Sequence, residues 1–201
     1  MPKDLLALSR EIKGLAETGL RYSDGAFDRE RYQRLHEIAS ELLQTQVPNF
    51  IWPVEFGYPT PKVDSRAAVI DEGKILLVRE RSNGLWTLPG GWMDADHSPS
   101  ENAVREVLEE SGYTVRARKL VAVWDKAKHG HPAEPEYTYK LLFLCELLGG
   151  GEPPSHDHEI SEIRWFAPTE LPEMCPHRAS PEYVAAAFRH HADLDLPTEW
   201  D

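Results

Sequence analysis

The chain has 201 residues, 41% of them hydrophobic and 28% charged, which suits one packed domain, or one with a small appendage, and excludes wholesale disorder. Its net charge of −12 opposes binding to nucleic-acid phosphates, and no run approaches the roughly 18 apolar residues of a membrane span. The start, MPKDLLALSREIKGLAETG, is broken by charges where a signal peptide is apolar, and Cys145 and Cys175 form neither a disulfide framework nor a metal spacing, so a soluble cytoplasmic protein is expected.

In chain order, Leu5, Leu8, Ile12 and Leu15 recur at helical steps, and Tyr32, Leu35, Ile38 and Leu42 do so again. Gly25 separates the two helices and Asp28 is the expected N-cap of the second. Two such helices cannot bury their stripes alone, so they pack on each other, on the main domain or on a second subunit. The proline-rich stretch PNFIWPVEFGYPTPKVD reads as an extended linker. The division is a helical N-terminal region over 1–47, a linker over 48–61 and a main domain over 62–201.

From Lys62 onward short β-branched runs appear. VDSRAAVI and KILLVRE flank the hairpin signal DEGK, and LWTLPGGW, VRARKLVAVWD, EYTYKLLFLCELLGG and EIRWFAP are further strands. SPEYVAAAFRHH is a closing helix with Ser180 as cap and Pro181 in the first turn. Strands interrupted by helices predict an α/β domain with a mixed sheet.

Between LPGGW and the next strand lies a helix crowded with carboxylates. Ser98-Pro99-Ser100-Glu101 forms a capping box, Ala103, Val104, Val107 and Leu108 make the apolar stripe, and Gly112 closes the helix, predicting a span of about 99–111. Arg105 and Glu109 are four apart and form a natural ion pair, whereas Glu106 and Glu110, also four apart, repel each other near a helix C-terminus that already disfavours anions. A hard divalent cation such as Mg²⁺ removes that conflict, and the glycine turn ahead of the helix offers a backbone carbonyl to it.

Gly91, five residues, His97, seven residues, then Arg105-Glu106-Val107, Glu109-Glu110 and Gly112-Tyr113 resemble the Nudix box. The resemblance covers roughly residues 62–175 and implies an α/β/α sandwich with a mixed sheet that hydrolyses nucleoside diphosphates linked to another moiety, using Mg²⁺ or Mn²⁺. It implies that Glu106 and Glu110 bind metal, that Glu109 joins the metal cluster, that Arg105 orients a glutamate, and that a carbonyl of Gly90 or Gly91 completes the shell. The box has Glu where this chain has His97; the absent carboxylate reads as a loop-orienting or outer-shell group, so hydrolysis survives its loss.

Such enzymes often use a base outside the box, and Glu159 is the candidate, with Glu162 behind it. The layout is also similar to bacterial CDP-choline or ADP-ribose pyrophosphatases, in which N-terminal helices help build a homodimer. Arg66, Arg79, Arg81, Lys126 and Lys128 are candidates for binding phosphate, and Trp86 or Trp92 for stacking on a base. The pairs His129/His131 and His156/His158 lack the further ligands of a transition-metal site. The substrate expected is a small nucleotide conjugate. A catalytically weak ligand-binding module and an RNA-processing enzyme are the alternatives.

Overall fold

The structure is a computed structural model that describes residues 4–52, 58–151 and 159–201. It divides into two compact units, Met1–Pro61 with Ala133–Tyr137, and Lys62–Pro132 with Thr138–Asp201.

In the first unit, α1 (Leu5–Tyr22) starts where the Asp4 carboxylate accepts from the Ala7 amide at 2.7 Å, and α2 (Ala26–Gln44) follows the Gly25 break. Asp28 is not the cap of α2; Gly25 is, and Asp28 sits in the first turn, paired with Arg31 at 2.7 Å. The helices meet through small residues. Ser9, Ala16 and Ala39 are fully buried, and the Ser9 hydroxyl donates to the Ala39 carbonyl at 2.6 Å. A Cβ on Gly19 would lie 2.3 Å from the Tyr32 ring, so the crossing needs a glycine there. Consequently the leucine stripe of α1 is turned outward: Leu5, Leu8 and Leu15 are 45%, 37% and 62% exposed. The segment after α2 is less extended than its prolines suggest, since Trp52 is buried with Leu6 and Leu43 and stands edge-on to Phe50. Residues 53–57 of the expected linker lie outside the described residues.

The second unit is built on β1 (Lys62–Asp71), β2 (Lys74–Glu80), β3 (Trp86–Thr87), β4 (Gly90–Trp92), β5 (Tyr113–Asp125), β6 (Thr138–Gly150), β7 (Ile160–Phe166) and β8 (Glu199–Trp200), with α3 (Pro99–Ser111) and α4 (Pro181–Ala192). Among the described residues the sheet runs β3-β2-β1-β6-β5-β8, with β4 on β1 and β7 on β2. It is mixed, as expected: β1 lies parallel to β6, and the β5–β6 pair is antiparallel. The DEGK signal is a tight hairpin whose Glu72 and Gly73 both take positive φ, 45° and 74°.

Alternation along β1 divides the core into two layers. Ala67 and Val69 pack toward Ala103 and Val107 of α3, while Ala68 and Ile70 pack toward Tyr183, Val184 and Ala187 of α4. The result is the expected α/β/α sandwich. At α4, Ser180 has N-cap backbone geometry, but its hydroxyl is buried without a partner, so Pro181 and the backbone start the helix without side-chain capping.

β4 is short but positions the rest. Gly90, Gly91 and Trp92 stand opposite Arg66, Ser65 and Asp64 of β1. Gly90 has φ 135°, and a Cβ there would lie 2.1 Å from the Ser65 carbonyl oxygen. Neither the conformation nor the space admits a side chain. Gly90→Ala is expected to destabilise the fold by about 1–3 kcal/mol or more, read as a lower urea midpoint; an unchanged midpoint would contradict this close approach.

Candidate active site

The carboxylate helix α3 forms as its sequence directs. Ser98 and Glu101 make the reciprocal capping box, and Gly112 takes φ 72° with its amide donating to the Leu108 carbonyl. The buried face differs in detail: Ala103 and Val107 are buried, but Leu108 is 50% exposed. Asn102 and Ser111 take inward positions instead, and the Asn102 amide donates to the Ser65 hydroxyl at 2.9 Å, which ties the helix to β1.

This docking aims the first carboxylate pair at β4. The Gly90 amide donates to Glu110 Oε2 at 3.0 Å, and the Cβ position of Gly91 lies 3.7 Å from both oxygens of Glu106. Burial raises the pKa of Glu106; Arg105 opposes the shift, and Glu109 adds to it. No basic side chain occupies the last turn of α3. Arg105 reaches Glu109 at 2.5 Å and Glu106 at 2.8 Å, so the expected Arg105–Glu109 pair is formed.

Under the glycines lies a buried charge cluster. Asp64 accepts two bonds from Arg66, at 2.9 and 2.7 Å, and Lys140 approaches it at 2.9 Å. Burial and the Arg66 charge pull Lys140 down to about 7, while the flanking Arg66 and Lys140 cations hold Asp64 low against its own desolvation. Arg66 also feels Glu110 and Glu80, so one fixed cation sits beneath the carboxylate site.

A cleft of about 1160 Å³ opens above this floor. It is lined by Glu106, Glu109, Glu110 and Trp92 from α3 and β4, and by Glu80, Arg81, Arg178 and Glu159. Arg178 is held by Glu80 at 3.0 Å, and its carbonyl accepts from Lys140 at 3.1 Å. The Arg81 amide donates to the Glu159 carbonyl at 2.8 Å, which places those two side by side.

The structure thus brings together Glu106, Glu109, Glu110, Arg105, Gly90, Gly91, Trp92, Arg66, Arg81 and Glu159. It does not bring the other candidates. Arg79 points to the Gly84 carbonyl and Glu162. Trp86 is buried, its ring 4.8 Å from Phe166 in a T-shaped contact, and is a packing residue rather than a base platform. Lys126 is buried and Lys128 exposed, neither lining the cleft. Arg66 is fully engaged by Asp64 and the Leu88 carbonyl, so it acts as a buried charge instead of an open clamp. Sequence reading missed Arg178, Glu80 and Asp94. Arg178 stands in an irregular loop with no periodic pattern, and its ion-pair partner Glu80 belongs to a strand far earlier in the chain.

His129 lies between Glu182 and Asp201, at 3.2 and 3.0 Å, stacked on Trp124, and His131 bonds the Tyr183 hydroxyl at 2.8 Å. His156 and His158 lie outside the described residues. Among the described residues no three His, Cys, Asp or Glu side chains already converge as a ligand set. The donor set nevertheless fits a hard cation, because Mg²⁺ keeps most of its waters and needs only one or two carboxylates beside substrate phosphates. Glu106 and Glu110, aimed at one glycine pair, are two such carboxylates.

The profile of the NUDIX domain matches residues 61–188, and that of a UDP-X-like, N-terminal oligomerisation domain matches residues 3–49. The chain is 37% identical over 203 residues to YjhB of Bacillus subtilis strain 168, named as a candidate ADP-ribose pyrophosphatase, covering 98% of this chain and 96% of that one. It resembles the crystal structure of a UDP-X diphosphatase with TM-score 0.65 and 29% identity over 98% of each chain. An ADP-ribose pyrophosphatase from Streptococcus suis 89-1591 aligns with TM-score 0.64 and 39% identity over 71% of this chain and 100% of its own. This chain belongs to the Nudix family and is a Nudix hydrolase.

Because burial raises its pKa, ionised Glu106 opposes folding. Stability linked to this group is full below the ordinary carboxylate range and falls as pH rises through the raised pKa. Metal-free Glu106→Gln is therefore expected to melt above the parent near neutral pH, with the difference vanishing in acid. An equal or lower melting temperature at neutral pH would show that Arg105 outweighs the desolvation.

Proposed function

We propose that this Nudix hydrolase cleaves the pyrophosphate of a nucleoside diphosphate linked to another moiety, of the ADP-ribose or CDP-choline type, with Mg²⁺ or Mn²⁺. The observation that carries the reading is the pairing of Glu106 and Glu110 on the β4 glycines in one cleft with Arg81 and Arg178. The carboxylates suit a cation and the guanidiniums an anion, which is what a metal-bound pyrophosphate presents. The names of the ADP-ribose and UDP-X relatives support a nucleoside diphosphate conjugate.

Glu106, Glu110 and the Gly90 carbonyl would hold the ion, which supplies neutralisation of the pyrophosphate and acidifies a water. Arg81 and Arg178 bind phosphate oxygens, offsetting the −12 charge of the chain locally. Trp92, 45% exposed at the rim, offers a face for the base. Glu159, exposed beside Arg81, accepts a proton from the attacking water. Glu109, bonded to Arg105 at the outer edge, adds negative charge beside the two ligands.

Incubation with Mg²⁺ and a panel of ADP-ribose, CDP-choline and UDP-sugars is expected to release a mononucleotide from at least one. Glu110→Gln should abolish most of that rate, by orders of magnitude, while circular dichroism stays unchanged. Binding of the panel without turnover would instead identify a ligand-binding module, and an unaffected E110Q rate would remove Glu110 from the site.

The first unit is proposed to form a homodimer through the outward leucine stripe of α1, an apolar face that water disfavours and that the match to an oligomerisation domain supports. Replacing Leu8 and Leu15 together by Glu is expected to shift the chain from dimer to monomer in light scattering; an unshifted dimer would place the interface elsewhere.

A further inference from the structure

Arg105 is held by more than its own helix. Its Nη2 donates to Asp94 Oδ2 at 2.8 Å, to Asn102 Oδ1 at 2.9 Å and to Glu106 Oε1 at 2.8 Å, and its Nη1 donates to Glu109 at 2.5 Å. Three of these partners belong to α3 itself; Asp94 belongs to the loop before it. The Nε of Arg105 is buried without a partner, so the guanidinium is located by its head contacts alone. Asp94 is also joined to the helix by its backbone, whose amide donates to Asn102 Oδ1 at 3.4 Å. Asn102 in turn bonds Ser65 on β1, inside the core. The His97 amide closes the loop on the Asp94 carbonyl at 3.2 Å, which folds Asp94 back over Arg105 and leaves His97 exposed.

A lone arginine flanked by Glu106 and Glu109 would be free to follow either. An additional anion from outside the helix anchors it, and the Glu106 carboxylate then keeps one orientation toward Gly91. We propose that Asp94 is a positioning residue for Glu106, acting through Arg105. The proposal rests on the reading of Glu106 as a metal-holding group. It concerns the carboxylate at 94 and not the stability of the loop as such.

The test uses the full chain and two readouts: Mn²⁺ binding to the substrate-free protein by electron paramagnetic resonance, and kcat and KM on a conjugate that the parent hydrolyses. Asp94→Asn is expected to weaken Mn²⁺ binding and lower kcat by about 10–100-fold, with KM little changed and melting in chelator unaltered. Asp94→Glu keeps both, and His97→Ala changes neither. An unimpaired D94N overturns the proposal, as does a D94E as impaired as D94N. If the parent hydrolyses no conjugate, the functional reading fails, while the Mn²⁺ titration still decides the role of Asp94.

Discussion

At Gly90 the backbones of β4 and β1 come so close that a single methyl group would overlap the Ser65 carbonyl oxygen. That approach sets most of the site. It presents the Gly90 amide to Glu110 and lays Gly91 against Glu106. The other side of the same β1 residue receives Asn102, so α3 is pinned at its start by Asn102 and near its end by Glu110. A helix whose last turn gathers acidic residues, against its own dipole, is thereby held at the place where those charges are useful.

Electrostatics is organised in depth rather than over the surface. The chain carries a large negative charge, yet beneath its cleft lies a buried guanidinium, Arg66, which shares the Asp64 carboxylate with Lys140. Burying such a group without partners would be prohibitive, and here the bonds between them satisfy the geometry. Arg81 and Arg178 extend the positive side toward solvent. On the helix itself one guanidinium, Arg105, serves both Glu106 and Glu109.

The N-terminal unit shows how a helical pattern can leave its partner open. The leucines of α1 recur at helical spacing and do mark one face, but the crossing with α2 is made by Ser9, Ala16 and Gly19, whose small size lets the backbones approach. Periodicity records amphipathicity without stating which face meets which neighbour. The same holds for Trp86. Its position beside the glycine loop suggested recognition, whereas its ring completes the core against Phe166.

Local rules were therefore sufficient for the elements and for the chemistry of the helix: alternation for the strands, the Ser98–Glu101 box and Gly112 for the ends of α3, and the four-residue spacing that puts Glu106 and Glu110 on one face. These depend on contacts within a turn or along one strand, which a linear chain displays directly. The folded chain alone decided which cations reach the cleft, why Arg178 belongs there and Arg79 does not, and that Asp94 reaches Arg105 from outside the helix. Those outcomes depend on the directions in which side chains leave distant elements once β1, β2 and the loop before α4 are packed, and spacing along the sequence carries no record of direction between segments that meet only on folding.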